Sequence, residues 1–313
     1  MSLSDNKNVP HFPAFTPLSQ GHKKIFDDAY AALNPETSEF CFGYLYSWRN
    51  PLVLGLSRFG GHILIRGRIS GADFLFPPVP SGMTAVSPES TARACVDALL
   101  ALKGKKMRMI CAAQYLADAT RRIAGDVADI LPQREYFDYV YRSRDLADLA
   151  GDRYQSKRNF VNRFKKNHAF EYRLLDAATA GICLGLQKKW KGMKLYDAPE
   201  SILDEDAAAR ELLENFGALN LCGCAIFVGG EVAAFSVGER LNRDTLVMHL
   251  EKADTSFAGS YQTMSRLSAQ RAVEMGYTYI NKEEDLGLAN LRKAKMSYHP
   301  AKMVSKYEIR VKE

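Results

Sequence analysis

Two residues able to handle protons stand two positions apart in one extended run. The segment Leu246-Val-Met-His-Leu-Glu-Lys252 alternates so that Val247, His249, Glu251 and Ala253 share one strand face. A histidine and a glutamate on a sheet face are costly to bury unless they are paired or line a cleft. Forming an amide by acyl transfer needs a base to take the proton of the attacking amine. Glu251 is the residue suited to that role, with His249 orienting it or sharing the task. A structural ion pair between Glu251 and a Lys or Arg is the competing reading.

The next chemistry-bearing signal follows at once. Ala258-Gly259-Ser260-Tyr261 opens a helix after that strand. A helix start offers unpaired N–H groups and the positive end of the dipole, which attract phosphate. Glycine there lets a ligand approach the backbone, although an ordinary helix start after a turn has the same composition. Further on, Asn281 and Glu283 project from the end of a short strand with Glu284 and Asp285 in the loop beyond. This acidic group suits an amine substrate, or it forms a structural network with Lys282, Arg292 and Lys293. Arg292, Lys293 and Lys295 lie on the last helix, beside the expected donor cleft. Lys157, Arg158 and Arg163, with Lys165 and Lys166, make a basic helix suited to a polyanion; a solvated helix face is the plain alternative.

The elements that must position these groups follow from periodicity. Strands are expected at Glu39–Trp48, Leu52–Arg58, Gly61–Ile69 and Ala72–Pro77, and residues 1–22 form a proline-containing arm. Ser87-Pro88 caps a helix reaching about Leu102. A strand at Met107–Ala112, a helix at Gln114–Ala124 and a strand at Tyr136–Tyr141 complete a first half. The second half begins with a basic helix from Asp148 to His168 and a strand at Phe170–Leu175. Helices at Ala177–Trp190 and Ala207–Phe216 follow. Three strands then run in a row, Ala218–Val228, Glu231–Arg240 and Asp244–Ala253, with Gly229-Gly230 as a hairpin turn. A helix to Met275, a strand at Tyr277–Asn281, a basic helix and a last strand from Val304 to Arg310 close the chain. This is an α/β (α+β) pattern of two units, divided as 1–143 and 144–313, with mixed, mostly antiparallel sheets.

Bulk properties narrow the function. The formal charge of +6 over 313 residues does not by itself argue for nucleic acid. Its distribution does more: residues 151–173 and 286–313 each carry seven Lys/Arg and two acids, which concentrates positive potential where phosphate-bearing ligands would gather. The six cysteines follow no disulfide or zinc spacing and are expected to be buried, reduced thiols of a cytoplasmic protein. No metal site is expected. No apolar run is long enough to span a bilayer, so any membrane contact is expected to be peripheral.

The order of elements in the second half resembles the acyl-CoA N-acyltransferase (GNAT) fold. More narrowly, the motifs Lys157-Arg-Asn-Phe-Val-Asn-Arg-Phe-Lys165, His249-Leu-Glu-Lys-Ala-Asp254, Gly259-Ser-Tyr-Gln262, Asn281-Lys-Glu-Glu-Asp-Leu-Gly287 and Leu291-Arg-Lys-Ala-Lys-Met-Ser-Tyr-His-Pro300 are similar to a bacterial family related to the C-terminal domain of phosphatidylglycerol lysyltransferase. Tandem domains of this kind also build the Fem peptidyltransferases. The resemblance implies two GNAT-like domains in tandem. It implies a donor pyrophosphate at residues 258–261 with Arg292 and Lys295 beside it, and Tyr298 as general acid. It does not imply phosphatidylglycerol as acceptor, since the lysyltransferases carry a membrane-embedded segment that is not found here.

The expected function is transfer of an acyl or aminoacyl group from a phosphate-bearing donor to an amine or hydroxyl acceptor, including an amine or lipid acceptor. The donor is a coenzyme A thioester or an aminoacyl-tRNA, acting as co-substrate, with no tightly bound cofactor and no role for DNA. The alternative is a non-catalytic module that binds RNA or an anionic lipid surface through its basic helix.

Overall fold

The computed structural model describes residues 8–82, 86–102, 107–194 and 200–312; residues 1–7 of the expected N-terminal arm lie outside them. In chain order the elements are β1 (Thr16–Pro17), α1 (Lys23–Leu33), α2 (Phe42–Trp48), β2 (Gly55–Phe59), β3 (His62–Ile69), β4 (Ala72–Pro80), α3 (Pro88–Ala101), β5 (Arg108–Ala113), α4 (Gln114–Ala124), β6 (Ala128–Pro132) and β7 (Asp138–Arg142). They continue as α5 (Ser143–Asp148), α6 (Gln155–Asn167), β8 (Phe170–Leu174), α7 (Ala177–Lys194), α8 (Glu200–Glu214), β9 (Cys222–Val228), β10 (Glu231–Arg240) and β11 (Thr245–Ala253). The last are α9 (Ser260–Glu274), β12 (Tyr279–Asn281), α10 (Ala289–Met296), β13 (Lys302–Val304) and β14 (Lys306–Val311). The α/β class and the two mixed, mostly antiparallel sheets are those the sequence led us to expect. The six cysteines are free thiols, five of them buried.

The two compact units are discontinuous in sequence. The first comprises residues 1–138, 284–288 and 303–313, and the second residues 139–283 and 289–302. A simple cut at 143/144 misses this, because β14 returns to the first unit, and β13 carries the chain out of the second. What was expected as one last strand is therefore two strands with different destinations.

In the first unit the sheet order is β1-β2-β3-β4-β5-β14-β6. The β4–β5 pair is parallel and short, Phe74 opposite Arg108 and Leu75 opposite Met109. Helix α3 begins as expected: the Ser87 hydroxyl accepts the Ser90 N–H at 3.2 Å and Pro88 takes the first turn. It packs Cys95, Ala98 and Leu99 into a core with Leu75, Met109 and Leu116. The expected strand at Glu39–Trp48 is instead helix α2 from Phe42 onward. Aromatic residues at 40, 42, 44, 46 and 48 look like strand alternation, but the same spacing satisfies i,i+4 contacts. Phe42–Tyr46 and Tyr44–Trp48 stack that way, with ring centroids 5.9 and 6.3 Å apart.

One face of β14 carries a fully buried Lys306. Its ammonium donates to Glu39 Oε1 (2.6 Å) and Ser38 Oγ (3.0 Å), lies 2.7 Å from Asp138 Oδ1 and 3.8 Å from Glu284 Oε2. Burial alone would lower the Lys306 pKa, but Asp138, Glu39 and Glu284 together hold it well above its ordinary value. Burial raises that of Glu39, against the pull of Lys306. Asp138 also accepts from the Ser38 backbone N–H at 2.8 Å and its hydroxyl at 3.0 Å.

The second sheet has seven strands in the order β8-β9-β10-β11-β12-β7-β13. The β9–β10 hairpin turns on Gly229 and Gly230, both with positive φ (58° and 86°), as two-residue hairpins prefer. Strands β11 and β12 are parallel only from Thr245–Val247 against Tyr279–Asn281. Beyond Val247, β11 continues to Ala253 without that neighbour, so the two strands part. Helix α9 lies on this sheet through small buried residues, among them Ser265, Ser268, Ala269 and Ala272, which let the helix sit close.

Candidate active site

The parted ends of β11 and β12 carry a connected polar cluster. Lys282, the first residue past β12, donates from Nζ to Glu251 Oε2 at 2.8 Å and to Ser265 Oγ of α9 at 2.6 Å. The Glu251 side chain is 21% exposed and that of Lys282 14%, so the pair is shielded but not sealed. The Tyr298 ring is the other wall, its centroid 5.8 Å from Lys282 Nζ and 4.2 Å from Lys157 Nζ, distances at which a cation is attracted to a ring face. Lys157, from α6, donates to Ser297 Oγ at 2.7 Å. Two tyrosines fix the end of α10: Tyr141 donates to the Lys295 carbonyl at 2.9 Å and Tyr154 to the Tyr298 carbonyl at 3.0 Å.

The electrostatics follow from this packing. Burial, then the Glu251 charge, pushes the Tyr298 hydroxyl well above the usual phenol range, with a hydrogen bond from Ser265 offsetting part of it. Tyr298 is therefore a proton donor at neutral pH. Burial lowers the Lys157 pKa, and no carboxylate pairs with this lysine among the described residues. Glu251, Lys282 and Lys157 together carry a net positive charge, which favours an anionic ligand.

Three of the residues singled out from sequence thus meet here: Glu251, Tyr298 and Lys157. Others are placed elsewhere. The His249 ring faces two other carboxylates, its nitrogens 2.7 Å from Glu283 Oε1 and 3.0 Å from Glu239 Oε1. The acidic group after β12 is dispersed. Asn281 is buried and its Oδ1 accepts the Glu283 N–H at 2.8 Å. Glu283 meets His249, Glu284 joins the Lys306 network of the first unit, and Asp285 meets Arg134 at 3.2 Å. This is the structural network rather than an open amine pocket.

The helix start at 258–261 also differs from the expectation. Gly259 has φ +94°, and a side chain there would stand 2.4 Å from the Phe160 carbonyl oxygen and 3.2 Å from Phe164 Cβ. The glycine lets helix α6, not a ligand, approach the backbone. Ser260 is buried, its N–H donates to the Phe257 carbonyl at 3.0 Å and its hydroxyl to the Asp254 carbonyl at 2.9 Å. The Tyr261 hydroxyl accepts from Trp190 Nε1 at 3.1 Å. Ala258 is exposed. Arg158 is not a free polyanion contact, since its guanidinium caps the carbonyls of Leu149 and Gly151. Arg163, Lys165 and Lys166 are exposed on α6. Lys295 donates to the Lys282 carbonyl, and Arg292 is half-buried on α10.

Sequence reasoning missed Lys282, Ser265 and Ser297 as members of the cluster. Lys282 stood only in a run of charges after a strand, and the two serines carried no signal beyond their helix positions.

Comparison with known proteins gives the geometry a context. A conserved protein of unknown function from Bacteroides thetaiotaomicron VPI-5482 has a solved structure that superposes with a TM-score of 0.83 at 28% identity, covering 95% of this chain and 99% of that one. The structure of L-PGS from Bacillus licheniformis shares the fold at a TM-score of 0.57 and 14% identity, over 81% of this chain and 82% of that one. The uncharacterized protein MYCGA3080 of Mycoplasmoides gallisepticum is 24% identical over 177 residues, 55% of this chain and about half (56%) of that protein's length. Residues 30–310 match the family described as phosphatidylglycerol lysyltransferase, C-terminal, and so the chain belongs to that family, as its motifs between Lys157 and Pro300 had suggested.

Proposed function

We propose that the second unit transfers an aminoacyl or acyl group from a phosphate-bearing donor to an amine or hydroxyl acceptor by direct attack, at the cluster formed by Glu251, Lys282, Ser265, Tyr298 and Lys157. The observation that carries this is the meeting of a carboxylate, a protonated phenol and two lysines, with Lys282 hydrogen-bonded to Glu251 and Ser265 and both lysines against the Tyr298 ring. The family's description names a lysyl transfer, and a cationic site suits a phosphate-bearing donor.

The roles follow from the geometry. Glu251 gives Oε2 to Lys282, and its other oxygen has no hydrogen-bond partner among the described residues. That oxygen takes the proton of the attacking acceptor. As the tetrahedral intermediate collapses, the bond from the acyl carbon to the leaving oxygen or sulfur breaks, and Tyr298 supplies the proton that the leaving group needs. Lys157 and Lys282 offset the negative charge of the intermediate or of a nearby phosphate. No covalent enzyme intermediate is required, and burial holds the thiols of Cys95, Cys111, Cys183, Cys222 and Cys224 above their ordinary range.

Between the donors, aminoacyl-tRNA is favoured. The exposed cations Arg163, Lys165 and Lys166 extend from the same helix as Lys157, giving a polyanion a path to the cluster. Among the described residues no helix is long and apolar enough to cross a membrane. The test is transfer of radiolabelled aminoacyl groups from mixed aminoacyl-tRNA, run beside acyl-CoA, to vesicles containing phosphatidylglycerol and to small primary amines. Transfer from tRNA alone supports the reading. Salt-sensitive binding of tRNA with no transfer to any acceptor overturns it in favour of a binding module.

A further inference from the structure

We propose that His249 is a positioning residue: a two-ended clamp that fixes the turn after β12 so that Lys282 is held on Glu251. The inference rests on the reaction site proposed above and adds a part to it.

The ring sits between two groups that only accept. Carboxylate oxygens of Glu283 and Glu239 face its two nitrogens at 2.7 and 3.0 Å; in the clamp both nitrogens donate to them and the ring is an imidazolium. The three side chains are only 3%, 19% and 9% exposed for His249, Glu283 and Glu239, so little water screens the contact. Glu239 belongs to β10, where it pairs with Val247 across a central ladder. One end of the clamp is therefore anchored in the sheet.

The other end holds a strained residue. Glu283 has φ +57°, a left-handed conformation that a glutamate adopts only when its surroundings impose it. The Asn281 side chain accepts the Glu283 N–H at 2.8 Å, and His249 holds the carboxylate. The residue directly before it is Lys282, whose ammonium reaches Glu251 and Ser265, while Lys295 donates to the Lys282 carbonyl. Without the imidazolium, Glu239 and Glu283 become neighbouring buried carboxylates with no cation between them. The turn then relaxes, and Lys282 leaves the position that orients Glu251.

The test combines His249→Gln with Glu283→Gln, which keeps the turn's length while weakening the same contact. Lysine-reactive labelling followed by peptide mass spectrometry is expected to show Lys282 labelled roughly 10-fold faster in His249→Gln, a loss of about 1.4 kcal/mol of holding free energy, and less so in Glu283→Gln. Transfer by folded His249→Gln is expected to lose kcat by roughly 10- to 100-fold with KM for the acceptor little changed. In the wild type, nitrogen-15 spectra should show both His249 ring nitrogens protonated at neutral pH. A neutral ring, or unchanged Lys282 labelling in both variants, overturns the clamp. Faster labelling in a protein whose wild type transfers nothing would leave the clamp standing and remove the proposed reaction instead.

Discussion

Gly259→Ala separates two explanations of the glycine at the start of α9. If the glycine served a ligand, alanine would fold normally and bind poorly. The structure makes the opposite demand. The new Cβ would lie 2.4 Å from the Phe160 carbonyl oxygen, 3.1 Å from its carbon and 3.2 Å from Phe164 Cβ. The first two belong to the backbone of α6, which cannot swing aside as a side chain would. The φ of +94° adds a conformational cost of about 1–2 kcal/mol for any residue with a side chain, and forced overpacking adds about 1–3 kcal/mol. The sum is roughly 2–5 kcal/mol, a large share of the roughly 5–15 kcal/mol that holds a domain together. Gly276→Ala is the control, because φ there is +85° but nothing lies within 4 Å of the added carbon, so only the conformational cost applies. Urea unfolding of both variants, with equal m-values, measures the difference. Gly259→Ala is expected to lose at least about 1 kcal/mol more than Gly276→Ala, from the overpacking term. Equal losses would refute the claim that α6 packing is what requires the glycine.

Three further outcomes are expected. Tyr298→Phe should fold with a stability change below about 1.5 kcal/mol, since Tyr154 holds its carbonyl and not its ring, yet transfer should slow about 100-fold; an unchanged rate under single-turnover conditions removes the proton-donor role. In the Lys306 network the raised Glu39 pKa means that its stabilising contribution is present below the ordinary value of 4.5 and is lost as pH rises through the higher folded value. Glu39→Gln should therefore gain stability relative to wild type as the pH of a thermal melt is raised from 4 to 8, whereas Asp138→Asn should cost about 3–5 kcal/mol by removing one of the carboxylates that surround Lys306; a Glu39→Gln variant that instead loses ground as pH rises contradicts the raised Glu39 value. Changing Arg163, Lys165 and Lys166 to glutamate should reduce the slope of log K against log salt for tRNA binding by about 2–3 without altering transfer of a small acyl group from coenzyme A, and an unchanged slope removes α6 as the tRNA path.

Much of the second unit was legible because its patterns were unambiguous. The β9–β10–β11 meander showed alternation and a Gly-Gly turn; in the first unit, the Ser87-Pro88 start fixed α3. Glu251, Tyr298 and Lys157 were identifiable one by one, but their meeting was not, since they come from a strand, the turn after one helix and the first turn of another. Periodicity places a residue on a face; it does not say which neighbour will occupy the space in front of it. His249 and Gly259 show the cost. Both have residue types suited to catalysis or ligand binding, and both are taken up by partners far along the chain, Glu239 and Glu283 for one and Phe160 for the other. Helix α2 was obscured because aromatics at every second position satisfy strand alternation and helical i,i+4 stacking alike. The return of β14 to the first unit's sheet is a long-range pairing with β5 and β6, and local sequence carries no trace of it.

The most direct trial of the proposed chemistry is a single-turnover transfer assay on Glu251→Gln, which keeps the side chain's size and its acceptor for Lys282 but removes the proton-accepting charge. A folded variant that binds donor normally and transfers roughly 100- to 10,000-fold more slowly is the predicted result. Wild-type rates from that variant would show that the proton leaves the acceptor by another route and that the cluster at the parted strands is not where the reaction happens.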